Sequence, residues 1–140
     1  MVAMRLTDAV VLITGASAGI GHAAAARFAA RGAKVLVHGR DPERTQEVVD
    51  EVRGRALVAD LAVPVDRQRL AADALDAFGR VDVLVNNAGF GYSGPLTAMS
   101  VKTIQRLVEV NLVAAIELTR DLLCVSAARY PLRRIKLMRP

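Results

Sequence analysis

Gly15, Gly19 and Gly21 follow directly on a short apolar run, Val10 to Ile13, and lead into the alanine-rich segment His22 to Arg31. That order predicts a buried strand, a tight turn and a helix. Glycine at 15 lets the chain leave the strand sharply. At 19 it lets a ligand approach backbone where a Cβ would collide, and at 21 it lets the helix pack close to the sheet. The N–H groups of the helix start then face the turn and form an anion site suited to a pyrophosphate. Ser17 lies in the same turn. Two roles stay open for its hydroxyl, donation to a phosphate or ribose and a bond to its own backbone. No Lys-Ser or Lys-Thr follows Gly21, which argues against a nucleoside triphosphatase loop.

Further polar residues fall at the ends of later apolar runs. Lys34 to His38 reads as a second strand and is followed by Gly39 and Arg40. An acidic residue at that place would accept hydrogen bonds from an adenosine ribose 2′-OH, whereas a guanidinium beside a glycine suits a 2′-phosphate. His38 could add a proton-dependent contact. The plainer reading of Arg40 is a solvated loop side chain, and of His38 an ordinary strand-end residue. Asp60 and Leu61 close a third strand, Ala56 to Ala59, and Asn86-Asn87-Ala88-Gly89 closes a fourth, Val81 to Val85. Two adjacent amides can tie the backbones of neighbouring strands. Asn111 lies within the apolar sequence VEVNLVAA, where asparagine is a poor helix former.

Helices must connect these strands. Asp41-Pro42 is an N-cap followed by proline at the first helical position, and a helix follows over Glu43 to Arg53. Pro64 starts another, running to Phe78 with Leu70, Ala71, Ala74, Leu75 and Phe78 as its apolar stripe. Residues 90–99 read as a loop and residues 100–123 as one long helix. Strands alternating with helices predict an α/β fold with a parallel sheet, and right-handed crossovers give the strand order 3-2-1-4. A ligand then lies across the carboxyl ends of the strands, where that order switches.

Composition narrows the function classes. Hydrophobic residues make up 53% of the 140 and aromatic residues 4%, so the core is aliphatic. Cys124 is the single cysteine, which excludes an internal disulfide and fits a reducing cytoplasm. No metal site is expected. The first residues hold no apolar leader core, and no apolar stretch is long enough for a bilayer. The net charge is +5, and Arg129, Arg133, Arg134, Lys136 and Arg139 carry that excess. The remainder is neutral, which argues against a basic groove for nucleic acid.

The spacing Thr-Gly-x-x-x-Gly-x-Gly over residues 14–21, together with Asn86-Asn87-Ala88-Gly89, resembles the two signatures of the short-chain dehydrogenase/reductase family. The resemblance covers residues 6 to about 123. It implies a Rossmann-like doubly wound sheet, with residues 1–123 as an incomplete NADP-binding domain. It also implies hydride transfer between NADP(H), favoured over NAD(H) by Gly39-Arg40, and a carbonyl or secondary alcohol. The cofactor contacts it implies are Thr14, Gly15, Ser17, Gly19, Ile20, Gly21, Arg40, Asp60, Leu61, Asn87, Ala88 and Gly89. An aspartate at the place of Asp60 contacts the adenine amino group in that family; a turn cap is the other reading. Asn111 matches the asparagine that holds a proton-relay water in the catalytic tetrad.

The resemblance further implies a small-molecule substrate, no nucleic-acid or membrane partner, and a homo-oligomer built through helix 100–123. One departure is large. The family's catalytic serine and Tyr-x-x-x-Lys pair do not follow. Ser126, Tyr130 and Lys136 have the right residue types, but Tyr130 and Lys136 lack the i, i+4 spacing that would place them on one helical face. The chain therefore reads as truncated after the fourth strand and the helix behind it, with 124–140 an irregular basic tail. A non-catalytic dinucleotide-binding module is the alternative reading.

Overall fold

The computed structural model describes residues 5–129 and 136–138. Its sheet is built from β1 (Val10–Ile13), β2 (Lys34–Gly39), β3 (Arg55–Val58), β4 (Val83–Val85) and β5 (Lys136–Met138). All pairs are parallel, in the order β3-β2-β1-β4-β5. β1 is central, with Val11 opposite Val35 on one side and Val83 on the other. The chain steps outward from β1 to β3 and then returns to the far side of β1 for β4. That reversal leaves a crevice at the carboxyl ends of β1 and β4.

Side chains alternate across the sheet, and each face has its own core. Val10, Leu12, Leu36, Leu57 and Leu84 meet helices α3 (Pro64–Phe78) and α5 (Ala114–Arg129) through Leu70, Ala74, Ala114, Leu118 and Leu122. Val11, Ile13, Val35, Val37 and Val83 meet α1 (Gly19–Ala29) and α2 (Pro42–Val52) through Ala25, Val48 and Val49. Both faces of the central strands are covered, so β1, β2 and β4 are apolar on both sides, as buried parallel strands require, whereas the edge strand β3 buries only Leu57. Local chemistry sets the helix ends. Asp41 Oδ1 accepts the Arg44 N–H at 3.1 Å ahead of Pro42, and Gly79 closes α3 in a left-handed conformation, φ 74°.

Two expectations change. The long helix is not continuous. It comprises α4 (Val101–Val108), a π turn (Glu109–Val113) and α5, which runs on to Arg129. The π turn accommodates one extra residue in the helical ladder, and Asn111 sits at its centre. The region after residue 123 is not irregular throughout. Besides the helix reaching Arg129, Lys136–Met138 pairs with β4, so the sheet extends one strand beyond the expected four. Residues 130–135 and 139–140 lie outside those described.

Arg67 of α3 binds the helical layer together. It is 2% exposed. Its Nε donates to Glu117 Oε2 at 2.6 Å, and its Nη1 to Glu109 Oε2 at 2.9 Å and to the Leu61 carbonyl at 2.7 Å. A buried guanidinium requires such partners, and here they join α3, the π turn, α5 and the loop after β3.

Candidate functional site

The turn after β1 has the geometry its glycines predict. Gly15 is left-handed, φ 64°, and a Cβ there would lie 2.8 Å from the Ala88 Cα. Gly19 is also left-handed, φ 57°, and a Cβ on it would meet nothing within 4 Å, so its open side faces away from the protein. A Cβ at Gly21 would strike the Gly15 carbonyl and the Asn87 amide, which explains how closely α1 seats against the turn. The N-terminus of α1 has no side-chain cap and no acidic residue in its first turn. Its amides and dipole therefore present an uncompensated positive end. Ile20, 83% exposed, stands beside them.

Thr14 is buried and works inward. Its hydroxyl accepts the N–H groups of Asn87 and Ala88, each at 3.0 Å, and donates to the Val85 carbonyl at 3.3 Å. Asn87 reciprocates through Nδ2, which donates to the carbonyls of Thr14 at 3.0 Å and Gly15 at 3.1 Å. The neighbouring Asn86 donates to Thr119 Oγ1 of α5 at 3.3 Å. The paired amides thus stitch the β4 exit to the β1 exit on one side and to a helix on the other.

His38 is a third fastening, where the sequence favoured an ordinary strand-end residue. It is 1% exposed. Gly15 N–H donates to its Nδ1 at 3.1 Å, and its Nε2 lies 3.2 Å from the Ala59 carbonyl. Burial, with the charge of Arg40 added, lowers its pKa to about 4, outweighing the Ala59 hydrogen bond and the Asp60 carboxylate. The signal was in the alternation of β2: His38 shares a face with Leu36, and that face is core.

Asp60 is tied on both oxygens. Arg106 Nη2 donates to Oδ1 at 3.1 Å and to Oδ2 at 2.8 Å, and Ala62 N–H donates to Oδ1 at 3.0 Å. Burial raises the Asp60 carboxyl pKa, but the Arg106 and Ala62 hydrogen bonds, with the charges of Arg106 and Arg40, hold it below the usual carboxylate range. Both earlier roles for Asp60 must accommodate this pairing. Arg106 lies 46 positions away on α4, so nothing local in the sequence announces it.

Asn111 projects from the π turn to the backbone of Phe90. Its Oδ1 accepts the Phe90 N–H at 3.0 Å, and its Nδ2 donates to the Phe90 carbonyl at 2.8 Å. A Cβ at Gly89 would lie 2.9 Å from Asn111 Oδ1. The amide is committed to positioning Gly89-Phe90. Tyr130 and Arg134 lie outside the described residues, as do the side chains of Ser126 and Lys136.

These elements enclose a cavity of about 280 Å³ lined by Gly15, Ser17, Ala18, His38, Gly39, Arg40, Leu61, Ala88, Gly89, Phe90 and Val110. The expected residues Gly15, Ser17, Arg40, Leu61, Ala88 and Gly89 converge on it. Gly19, Ile20 and Gly21 belong to the adjoining helix start. Thr14, Asn87 and Asp60 support it from behind or beside. Among the described residues no group of three or more His, Cys, Asp or Glu could hold a metal ion, and no helix is long and apolar enough to cross a membrane.

A doubly wound parallel sheet with a glycine turn, an open helix start and a cavity at the switch point is the architecture of a dinucleotide-binding α/β domain. Residues 9–127 match the family described as short chain dehydrogenase, and the chain belongs to that family. Dehydrogenase/reductase SDR family member 7B of Mus musculus is 36% identical over 127 residues, covering 84% of this chain and 39% of that protein. A metagenomic short-chain oxidoreductase in complex with NADP matches with a TM-score of 0.82 at 37% identity, over 90% of this chain and 59% of the other. The 3-ketoacyl-(acyl-carrier-protein) reductase from Brucella melitensis complexed with NADH gives 0.85 at 33% identity, over 94% and 56%. The chain spans less than half the length of the curated relatives it matches.

Proposed function

We propose that these residues bind NADP(H), and that the whole protein uses it in hydride transfer to or from a carbonyl or secondary alcohol. One observation carries the cofactor preference. The cavity wall at the end of β2 offers Gly39 and the exposed Arg40, with no carboxylate, so it suits a 2′-phosphate. The open N-terminus of α1 and the bare face of Gly19 receive the pyrophosphate. Ser17 donates its hydroxyl nearby, and Asp60 and Leu61 border the adenine end. Asn87, Ala88 and Gly89 form the wall beneath the ribose, kept in place by Thr14.

When bound, the nucleotide supplies or accepts the hydride. Asn111 holds the Gly89-Phe90 backbone that borders the reacting end. The proton donor for the substrate oxygen needs a lowered pKa and an oxyanion partner beside it. The 140 residues contain no Tyr-x-x-x-Lys. The 140-residue polypeptide is therefore a nucleotide binder without measurable turnover of its own. Val101, Ile104, Val108, Leu112 and Ile116 are exposed along α4, the π turn and α5, a stripe that supports homo-oligomerisation.

Fluorescence titration of NADPH and NADH into the 140-residue chain tests the binding reading. NADPH binds more tightly, and Arg40→Ala removes roughly 10- to 100-fold of that affinity, the worth of one charge-assisted phosphate contact. Equal affinities in the wild type would overturn it.

A further inference from the structure

We propose that Thr45 sets nucleotide selectivity together with Arg40, by occupying the space that a ribose-binding carboxylate at position 39 would need. This rests on the NADP(H) reading above and adds a residue that does not line the cavity. Gly39 ends β2 without a positive φ, so its conformation is open to any residue. Its reason for being glycine is space. A Cβ placed there would collide with Thr45 Oγ1, and would lie 2.9 Å from Ser17 Cβ and 3.0 Å from Ser17 Oγ.

Neither side of that collision gives way cheaply. Thr45 is 0% exposed. Its Oγ1 donates to the Asp41 carbonyl at 2.6 Å, and its N–H to the same carbonyl at 3.0 Å, so the hydroxyl is locked into the first turn of α2. On the other side, the His38 carbonyl accepts the Ala16 N–H at 2.7 Å, and the Gly39 carbonyl accepts the Ala59 N–H at 3.2 Å. The strand end is thus pinned to β1 and β3 and cannot swing away from α2. The Ser17 contacts are the milder ones: its hydroxyl can rotate away, and the overlap with its Cβ at 2.9 Å is smaller than that with Thr45 Oγ1. Thr45 Oγ1 is the obstacle. Placing an acid at position 39 therefore does not by itself convert this site to NAD(H).

The test uses the 140-residue chain and its Gly39→Asp, Gly39→Asp/Thr45→Ala and Gly39→Asp/Thr45→Ser variants. Each is titrated with NADPH and NADH, and each is melted without nucleotide. Gly39→Asp alone lowers the melting temperature and weakens binding of both nucleotides. Adding Thr45→Ala restores most of the melting temperature and makes NADH the preferred ligand. Adding Thr45→Ser, which keeps the hydroxyl, leaves the chain as poor as Gly39→Asp. The proposal is overturned if Gly39→Asp alone melts like the wild type and switches to NADH. It is equally overturned if Thr45→Ala brings no recovery or no switch. Equal wild-type affinities for the two nucleotides would instead overturn the NADP(H) reading. The melts would then still decide whether Thr45 excludes a side chain at 39: recovery with alanine but not serine supports the exclusion, and no difference refutes it.

Discussion

The Nδ1 atom of His38 accepts the Gly15 N–H at 3.1 Å, so a buried imidazole at the end of β2 holds the glycine turn at the end of β1. A backbone N–H can only donate, so Nδ1 carries no proton. Nε2 carries it and donates to the Ala59 carbonyl at 3.2 Å. One uncharged ring thereby fixes three strand exits around the cavity.

That arrangement makes stability depend on pH. The folded chain binds the imidazole proton less readily than the unfolded chain, since burial lowers the pKa from 6.5 to about 4. The contribution is fully present above pH 6.5 and is lost as pH falls towards 4. Over that window it amounts to about 3 kcal/mol. Urea unfolding of the wild type and His38→Gln between pH 4 and 7 checks it. The wild type loses the additional stability on acidification, and the variant has the flatter profile.

Among the described residues Arg67 is a deeply buried charge, and removing it is costly. Arg67→Ala leaves Glu109, Glu117 and the Leu61 carbonyl without their shared donor, and destabilises by about 3 kcal/mol, the lower end for breaking a buried pair. Arg67→Lys recovers less than half of this, because one ammonium cannot reproduce the forked geometry. Denaturant midpoints of the two variants supply the measurement.

Asn111→Ala severs both bonds to Phe90 and loosens the Gly89-Phe90 segment. Each bond contributes about 1 kcal/mol, so the Phe90 amide exchanges roughly 10- to 30-fold faster. Asn111→Asp keeps the acceptor for the Phe90 N–H but loses the donor to its carbonyl, and falls between. Hydrogen exchange at Phe90 N–H distinguishes the three chains.

The proposed self-association runs through the exposed stripe on α4, the π turn and α5. Leu112→Glu/Ile116→Glu places charge in its middle and shifts the chain towards monomer in sedimentation velocity, with a melting temperature close to wild type because neither side chain is in the core. β5 covers the outer edge of β4, so association through that strand edge is not the expected route.

Much of the fold was legible because its signals are local. The apolar runs at Val10–Ile13 and Lys34–Gly39, the Asp41-Pro42 cap and the Pro64 start all act within a turn or a strand, and the structure keeps them within a few residues. Strand order followed from crossover handedness, which needs no contact information. The glycine turn announced itself because left-handed backbone at Gly15 and Gly19 admits few other residues.

What the sequence determined, then, is the strand–turn–helix plan, the glycine turn before an uncapped helix and the chemical types gathered at the strand ends. Tertiary structure alone decided how those types are used. Asp60 meets Arg106 of α4, His38 turns inward to Gly15, and Asn111 fastens Phe90 from a π turn. It also joined Lys136–Met138 to β4. The physical reason is distance along the chain. Propensity, capping and periodicity act over a few residues, whereas these partners are separated by 21 to 53 positions and meet only once the sheet has formed.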